Sequence, residues 1–150
     1  MIDSTNIEKE LAEHGFYASN TLGTSMRPLF KTHRDMIVVK RPEGMLKKYD
    51  VALYVTPRGK YILHRIIKVK KDCYIFRGDN TYAPETVPFD WVKGVLVKFN
   101  RKGKSHTVND FSYKLYSRFW HFIYPPRFVY IKTRSLLGRI YRKIFGKKNK

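Results

Sequence analysis

The sequence predicts a mainly β protein: a coiled antiparallel β-sheet domain with a short N-terminal helix and a basic helical extension at its C-terminal end. Two observations lead to this prediction. Between residues 16 and 108, short apolar runs alternate with turn sequences, as is typical of antiparallel sheets folded on themselves. From Asp110 onward the apolar residues take helical spacing instead. We therefore divide the chain into residues 1–15, 16–108 and 109–150.

The individual elements follow from local patterns. Ile7 and Leu11 share a helical face and Gly15 suits the position after a helix end, so residues 5–14 are predicted to form a helix. Strands are predicted where runs rich in β-branched and aromatic residues lie between turn sequences. The predicted strands are 36–41, 51–55, 60–69, 73–77, 91–99 and 105–108.

Turn chemistry sets the connections between these strands. Residues 56–59 (Thr-Pro-Arg-Gly) and 101–104 (Arg-Lys-Gly-Lys) each predict a tight hairpin. Residues 81–90 contain Pro84 and Pro88, and we expect them to form a loop, since proline removes a backbone donor from a strand.

Composition limits the class of protein. At 150 residues and 43% hydrophobic content, the chain can bury the core of one domain. Cys73 is the only cysteine, so no disulfide forms within the chain, which fits a protein of a reducing compartment. We expect Cys73 itself to be a small residue of the core. No run of about eighteen apolar residues occurs and residues 1–22 are polar, which predicts neither a transmembrane helix nor a signal peptide.

The net charge of +19 is unevenly distributed. Residues 98–150 carry 15 Lys and Arg residues and a single acid, Asp110. A basic block of this kind predicts contact with an anionic surface, which is either a membrane or a nucleic acid. Residues 1–22 offer only one short helix, too little for a helix-turn-helix, so nucleic acid is the less favoured partner without being excluded.

The basic extension predicts two helices. An aromatic helix begins near Asp110 and ends before Pro125 and Pro126. In the second helix the apolar residues fall on one stripe: Val129, Leu136, Leu137, Ile140, Tyr141 and Ile144. We expect residues 127–150 to lie on an anionic membrane, which predicts a cytoplasmic protein that is peripheral at the membrane. The alternative is a helical cap on the β domain.

The most informative motif is Gly-Thr-Ser-Met-Arg-Pro, residues 23–28. Gly23 permits a tight bend and Pro28 fixes its own φ, so we expect Ser25 on a stiff turn with its hydroxyl presented. A nucleophile needs such a presentation, although an ordinary solvated serine would fit the same turn.

Two later segments supply the other groups of a serine hydrolase. His64 lies in the middle of the predicted strand 60–69, and Asp79 ends the run Phe-Arg-Gly-Asp-Asn. Serine hydrolases need a hydroxyl, a base near neutral pKa and a group that orients the base. Because side chains alternate along a strand, Arg65 points away from His64, and we expect it to have a structural role, paired with a carboxylate.

These motifs resemble the signal peptidase I and LexA-type peptidase superfamily, and most closely its endoplasmic-reticulum and archaeal branch. That branch has a Ser-Met-x-Pro box, a His-Arg box and a Gly-Asp-Asn box. Here they stand as Ser25-Met26-Arg27-Pro28, His64-Arg65 and Gly78-Asp79-Asn80, within a resemblance that covers about residues 20–99. The resemblance implies a coiled β domain of signal peptidase/LexA type and a serine endopeptidase acting on a peptide or protein, such as a leader or signal segment.

Departures from the family pattern leave two points open. The resemblance implies an oxyanion donor two residues before the nucleophile, where this chain has Gly23, so the donors would be the Ser25 N–H and the Thr24 hydroxyl. It also implies a second acid six residues after Asp79, where this chain has Glu85. Either acid could assist His64, and the motif context favours Asp79.

Two other functions remain possible from the sequence. One is a binding module that keeps the peptidase fold without catalysis, and the other is a nucleic-acid-binding protein. No His, Cys, Asp or Glu cluster has metal-ligand spacing, so neither a metal nor another cofactor is predicted.

Overall fold

A computed structural model of the protein describes residues 4–130 together with residues 133 and 137. The described residues up to Ser117 form one compact unit, and those from Arg118 onward form a second. The first unit is mainly β, as predicted, since eight antiparallel strands join in one sheet.

The sequence predicts six of these strands to within two residues, and β1 and β6 are not among them. In chain order the elements are α1 (Ser4–Glu13), β1 (Phe16–Asn20), β2 (Met36–Lys40), β3 (Val51–Val55), β4 (Tyr61–Val69), β5 (Cys73–Arg77), β6 (Glu85–Pro88), a single 3-10 turn (Phe89–Trp91), β7 (Val92–Arg101), β8 (Lys104–Thr107) and α2 (Phe111–Phe122). The strand order is β1-β2-β7-β3-β4-β5-β6, and β8 pairs with β7.

The two predicted hairpins are both present. β3 and β4 are joined through residues 56–60, and β7 and β8 through Lys102 and Gly103. Lys102 and Gly103 both have positive φ, 53° and 77°. A two-residue turn with this geometry matches the natural twist of the strands, which explains the tight connection.

Residues 85–88 form a strand, which corrects the prediction of a loop over residues 81–90. β6 pairs with β5 from Phe76↔Glu85 to Cys73↔Pro88, at one edge of the sheet. An edge strand needs ladder hydrogen bonds on one side only, so it tolerates a proline. As a result, Glu85 lies opposite Phe76, which is itself paired with Ile66 on β4.

β4 lies between β3 and β5, and its side chains alternate between two buried clusters. Ile66 belongs to a cluster with Tyr54 and Phe76, and Ile62 packs against it. Leu63, on the opposite face, packs against a larger cluster that includes Ile7 and Leu11 of α1 and Tyr113 of α2. His64 and Arg65 therefore leave the same strand on opposite faces.

The C-terminal region is helical where the structure describes it. α2 ends at Phe122, and after a turn at Ile123 residues 124–130 are helical again, with Pro125 and Pro126 in the first turn, where proline is tolerated. Of the apolar stripe predicted from Val129 to Ile144, and of the membrane surface predicted over 127–150, most residues lie outside the described part of the chain. No helix among the described residues has the length and apolar content to cross a bilayer.

Candidate active site

A cleft of about 1030 Å³ opens within the first unit. It brings together most of the residues that the motifs single out, from three separate parts of the chain. The predicted residues that line it are Gly23, Thr24, Ser25, Met26, His64, Asn80 and Glu85. The other predicted site residues do not line the cleft: Pro28, Arg65, Gly78 and Asp79.

The turn that carries Ser25 is anchored by its apolar residues. Gly23 has a φ of 76°, a conformation that favours glycine, and the Arg27 N–H donates to Thr24 O at 3.2 Å. Met26 and Phe30 are buried in the core, and the bond from Arg27 to Pro28 is cis. The buried side chains fix the turn, and Ser25 lines the cleft.

A buried carboxylate closes the longer loop between β1 and β2. Asp35 is fully buried, and its side chain accepts hydrogen bonds from Lys31 N–H at 2.7 Å and Arg34 Nε at 2.7 Å. Thr21 N–H donates to Asp35 O at 2.9 Å. Burial would raise the pKa of Asp35, but the hydrogen bonds that its carboxylate accepts and the charge of Arg34 outweigh burial and lower the pKa to about 2. Asp35 therefore stays charged and ties the two ends of the loop together.

Ser25 itself makes one backbone contact of consequence. Ser25 O accepts a hydrogen bond from Asn80 N–H at 2.7 Å. Within the part of the chain that the structure describes, Ser25 Oγ donates no hydrogen bond to His64, and neither the Ser25 N–H nor the Thr24 hydroxyl has a partner. Those two donors are thus available to a carbonyl oxygen bound in the cleft.

His64 is 4% exposed, and its two ring nitrogens face different surroundings. Nε2 lies on the side of Ser25: a Cβ added to Gly78 would lie 2.9 Å from His64 Nε2 and 2.6 Å from Ser25 O. Glycine is required at position 78, because any side chain would collide with both residues. The absent side chain allows the imidazole and the Ser25 backbone to pack against one residue.

Nδ1 lies on the side of Tyr54 and Glu85. Tyr54 OH is 3.4 Å from His64 Nδ1, and Glu85 Oε1 is 3.7 Å from the same atom. The Tyr54 hydroxyl also donates to Glu85 Oε2. Burial and the carboxylate of Glu85 raise the pKa of Tyr54, so its hydroxyl keeps the proton that it donates.

Burial lowers the pKa of His64 below its ordinary value. The carboxylates of Glu85 and Asp79 act in the opposite direction, with Glu85 the larger of the two, while Lys60 adds to the lowering. The imidazole is therefore neutral at neutral pH, which a general base requires.

Asp79 is engaged elsewhere. Arg65 Nε donates to Asp79 Oδ1 and Arg65 Nη2 to Asp79 Oδ2, both at 2.8 Å, in a bidentate pair. Arg65 is 2% exposed and Asp79 8%. The carboxylate raises the pKa of Arg65 in spite of burial, so the guanidinium stays charged. The structure thus pairs Arg65 with Asp79, and brings Glu85 rather than Asp79 to Nδ1 of His64.

Three residues that contact the predicted site residues belong to none of the sequence motifs. Tyr54 is one apolar residue in a predicted strand, and Tyr116 and Ser117 belong to α2, outside the resemblance. The only signal for Tyr54 is its place on β3, because Tyr54↔Ile62 and Ala52↔His64 are paired across the hairpin. Predicting the hairpin register would have placed Tyr54 beside the base.

Among the described residues, no group of three or more His, Cys, Asp or Glu side chains could hold a metal ion. The chain matches no model of a known protein family and no curated protein.

Proposed function

We propose that the protein is a serine peptidase in which Ser25 is the nucleophile and His64 the general base. One observation carries the proposal: Ser25 and His64 Nε2 pack against Gly78 at one cleft, while Nδ1 of the same ring faces a carboxylate. A serine with a base on one side and an acid behind the base is the arrangement that hydrolysis of an acyl bond requires.

In this mechanism His64 Nε2 takes the proton from Ser25 Oγ while Oγ bonds to the substrate carbonyl carbon. The Ser25 N–H and the Thr24 hydroxyl stabilise the negative charge that develops on the carbonyl oxygen. His64 then returns the proton to the leaving amine as the C–N bond breaks. Water, activated by the same imidazole, hydrolyses the acyl-enzyme and regenerates Ser25.

Glu85 is the acid that we assign to His64, because its carboxylate lies 3.7 Å from Nδ1 and that of Asp79 is held by Arg65. Tyr54 orients Glu85 by donating to its Oε2. A carboxylate in this place stabilises the imidazolium that forms during the reaction. Asp79 then orders the Gly-Asp-Asn turn instead of acting on the base.

We further propose that the β domain is of signal peptidase/LexA type. The support is the order of the three boxes along the chain and their convergence at a single cleft of an antiparallel sheet. The cleft suits a peptide, since apolar side chains such as Phe30, Ile37 and Leu53 line it beside the polar groups.

The test is turnover of a short peptide p-nitrophenyl ester by the full chain. Ser25→Ala should reduce turnover by roughly 10³-fold or more. Ser19→Ala is the matched control, because Ser19 also lines the cleft but its hydroxyl bonds to a backbone carbonyl. Equal turnover by wild type and Ser25→Ala would contradict the proposal.

The absence of a hydrogen bond between Ser25 Oγ and His64 favours a second candidate, a peptide-binding module without catalysis. Catalytic hydrogen bonds are often long without substrate and tighten when it binds, so we prefer the enzyme. The two functions differ in a single result: the binding module would retain a peptide in the cleft and form no acyl-enzyme.

We also propose that the C-terminal region binds an anionic membrane surface. Large apolar side chains of the second unit are more than half exposed: Phe119, Phe122, Val129, Tyr130 and Leu137. Among basic residues, apolar side chains of this size favour insertion at a lipid interface.

Flotation of the full chain with vesicles containing phosphatidylserine should be lost at high salt and weakened by Phe122→Ser. Equal binding to vesicles without anionic lipid would contradict it.

A further inference from the structure

The inner face of α2 contacts the buried arginine of the His-Arg motif. Arg65 Nη1 donates to Ser117 Oγ at 2.9 Å, to Tyr49 O at 3.0 Å and to Tyr113 OH at 3.4 Å. Ser117 is buried and its hydroxyl donates to Tyr113 O at 2.8 Å, so its acceptor lone pair is directed by the helix itself. A buried guanidinium must have its donors satisfied, and α2 supplies part of that requirement.

The same helix also reaches the partner of this arginine. Tyr116 OH donates to Asp79 Oδ2 at 3.0 Å, the oxygen that also accepts from Arg65 Nη2. Burial and the Asp79 carboxylate raise the pKa of Tyr116, so the hydroxyl remains a donor. Asp79 is therefore held from β4 by a guanidinium and from α2 by a phenol.

Asp79 lies between two residues that touch the Ser25 turn. On one side, Asn80 N–H donates to Ser25 O at 2.7 Å and Asn80 Nδ2 to Thr24 O at 3.2 Å. On the other side is Gly78, against which Ser25 O and His64 Nε2 are packed. A shift of the Asp79 carboxylate would thus be transmitted through Asn80 to the backbone of the Ser25 turn, and through Gly78 to Ser25 O and His64 Nε2.

We propose that Tyr116 and Ser117 of α2 are positioning residues for the Ser25 site. They fix the ion pair Arg65–Asp79, which fixes the turn 78–80 and, through Asn80, the backbone of Ser25. The inference rests on the proposed function and extends it, because it makes the site depend on a helix outside the three boxes. An error of about 1 Å in the position of a reacting group can reduce a rate by about 10²-fold.

The experiment measures the pre-steady-state acylation of the full chain by a peptide p-nitrophenyl ester. Tyr116→Phe, Ser117→Ala and the double variant are compared with the control Ser105→Ala, because Ser105 is exposed in β8 and lies outside the cleft. The double variant should lower the maximal acylation rate about tenfold and leave the half-saturating ester concentration unchanged. Hydrogen exchange of the Asn80 amide should be faster in the same variant at a temperature where it stays folded.

The outcomes separate the two proposals. No Ser25-dependent acylation in wild type would remove the proposed function, and this inference with it. Normal acylation by wild type together with unchanged maximal rate and Asn80 exchange in the double variant would overturn this inference alone. If Ser117→Ala does not fold, Tyr116→Phe decides by the same two readings, because it removes one oxygen and keeps the ring.

Discussion

Arg65 and His64 are neighbours on β4, and each belongs to a different kind of polar site, one on each face of the strand. On the Arg65 face, the guanidinium meets Asp79 in a buried bidentate pair that α2 completes. On the His64 face, the imidazole is buried but lies 3.7 Å from a carboxylate whose side chain is 40% exposed. The saturated pair suits a structural role, and the loosely held base suits proton transfer. Asp79, the acid of the Gly-Asp-Asn motif, contacts Arg65, and Glu85, on the edge strand β6, lies beside His64.

The largest effect should appear when His64 is replaced. His64→Ala should reduce ester turnover by roughly 10³-fold, because it removes the base, while the protein stays folded. Steady-state kinetics and a thermal melt on the same sample measure both effects. A His64→Ala variant that retains most of the activity would end the distinction between the two faces.

Breaking the ion pair should act on stability instead. Asp79→Ala leaves a buried guanidinium without its carboxylate, so we expect the free energy of unfolding to fall by about 3–5 kcal/mol. Urea unfolding measures this loss. Glu85→Ala is the matched control on the other face, and its half-exposed carboxylate should contribute no more than about 1 kcal/mol. Equal losses of unfolding free energy in the two variants would contradict the structural role that we assign to the Arg65–Asp79 pair.

The effects of Glu85 and Asp79 on acylation can also be compared with conservative variants that keep the fold. Glu85→Gln should slow acylation by about 10–100-fold, because the imidazolium loses the charge behind it, and Tyr54→Phe should have a smaller effect in the same direction. Asp79→Asn should slow acylation less than Glu85→Gln at an equal folded fraction. The reverse order would return the assisting role to Asp79, which the motif context favours.

The smallest expected effect is the pH dependence of stability. The pKa of His64 is lowered in the folded state, so the unfolded chain binds the proton more tightly, with a pKa of about 6.5. Stability should therefore be complete above that pH and decline as the pH falls through 6.5 toward the folded pKa. Urea unfolding between pH 7.5 and 5 should give a flatter profile for His64→Gln than for wild type. Parallel profiles would mean that His64 is not buried as a neutral group.

The comparison also explains which parts of the site the sequence could predict. Alternation along β4 predicted that Arg65 points away from His64, because this depends only on the period of a strand. The partner of His64 could not be chosen in the same way, since Glu85 reaches it through the pairing of β6 with β5 in a segment where two prolines indicated a loop.

The contributions of α2 were beyond local reasoning for a similar cause. Its aromatic residues predicted a helix, and the structure has one over Phe111–Phe122. Which of them would meet Arg65 depends on a contact between residues 48 to 52 positions apart in sequence. The helical period gives candidate faces, but the packing of the β domain decides that Tyr113 and Ser117 are the buried ones.

The central claim, that Ser25 is a nucleophile served by His64, is tested most directly by trapping the acyl-enzyme. The full chain is quenched in acid during reaction with a peptide p-nitrophenyl ester, digested and analysed by mass spectrometry. We predict the added acyl mass on the peptide that contains Ser25, its absence from Ser25→Ala and a much slower appearance in His64→Ala. An acyl group found on other residues, or formed equally fast in His64→Ala, would contradict the claim.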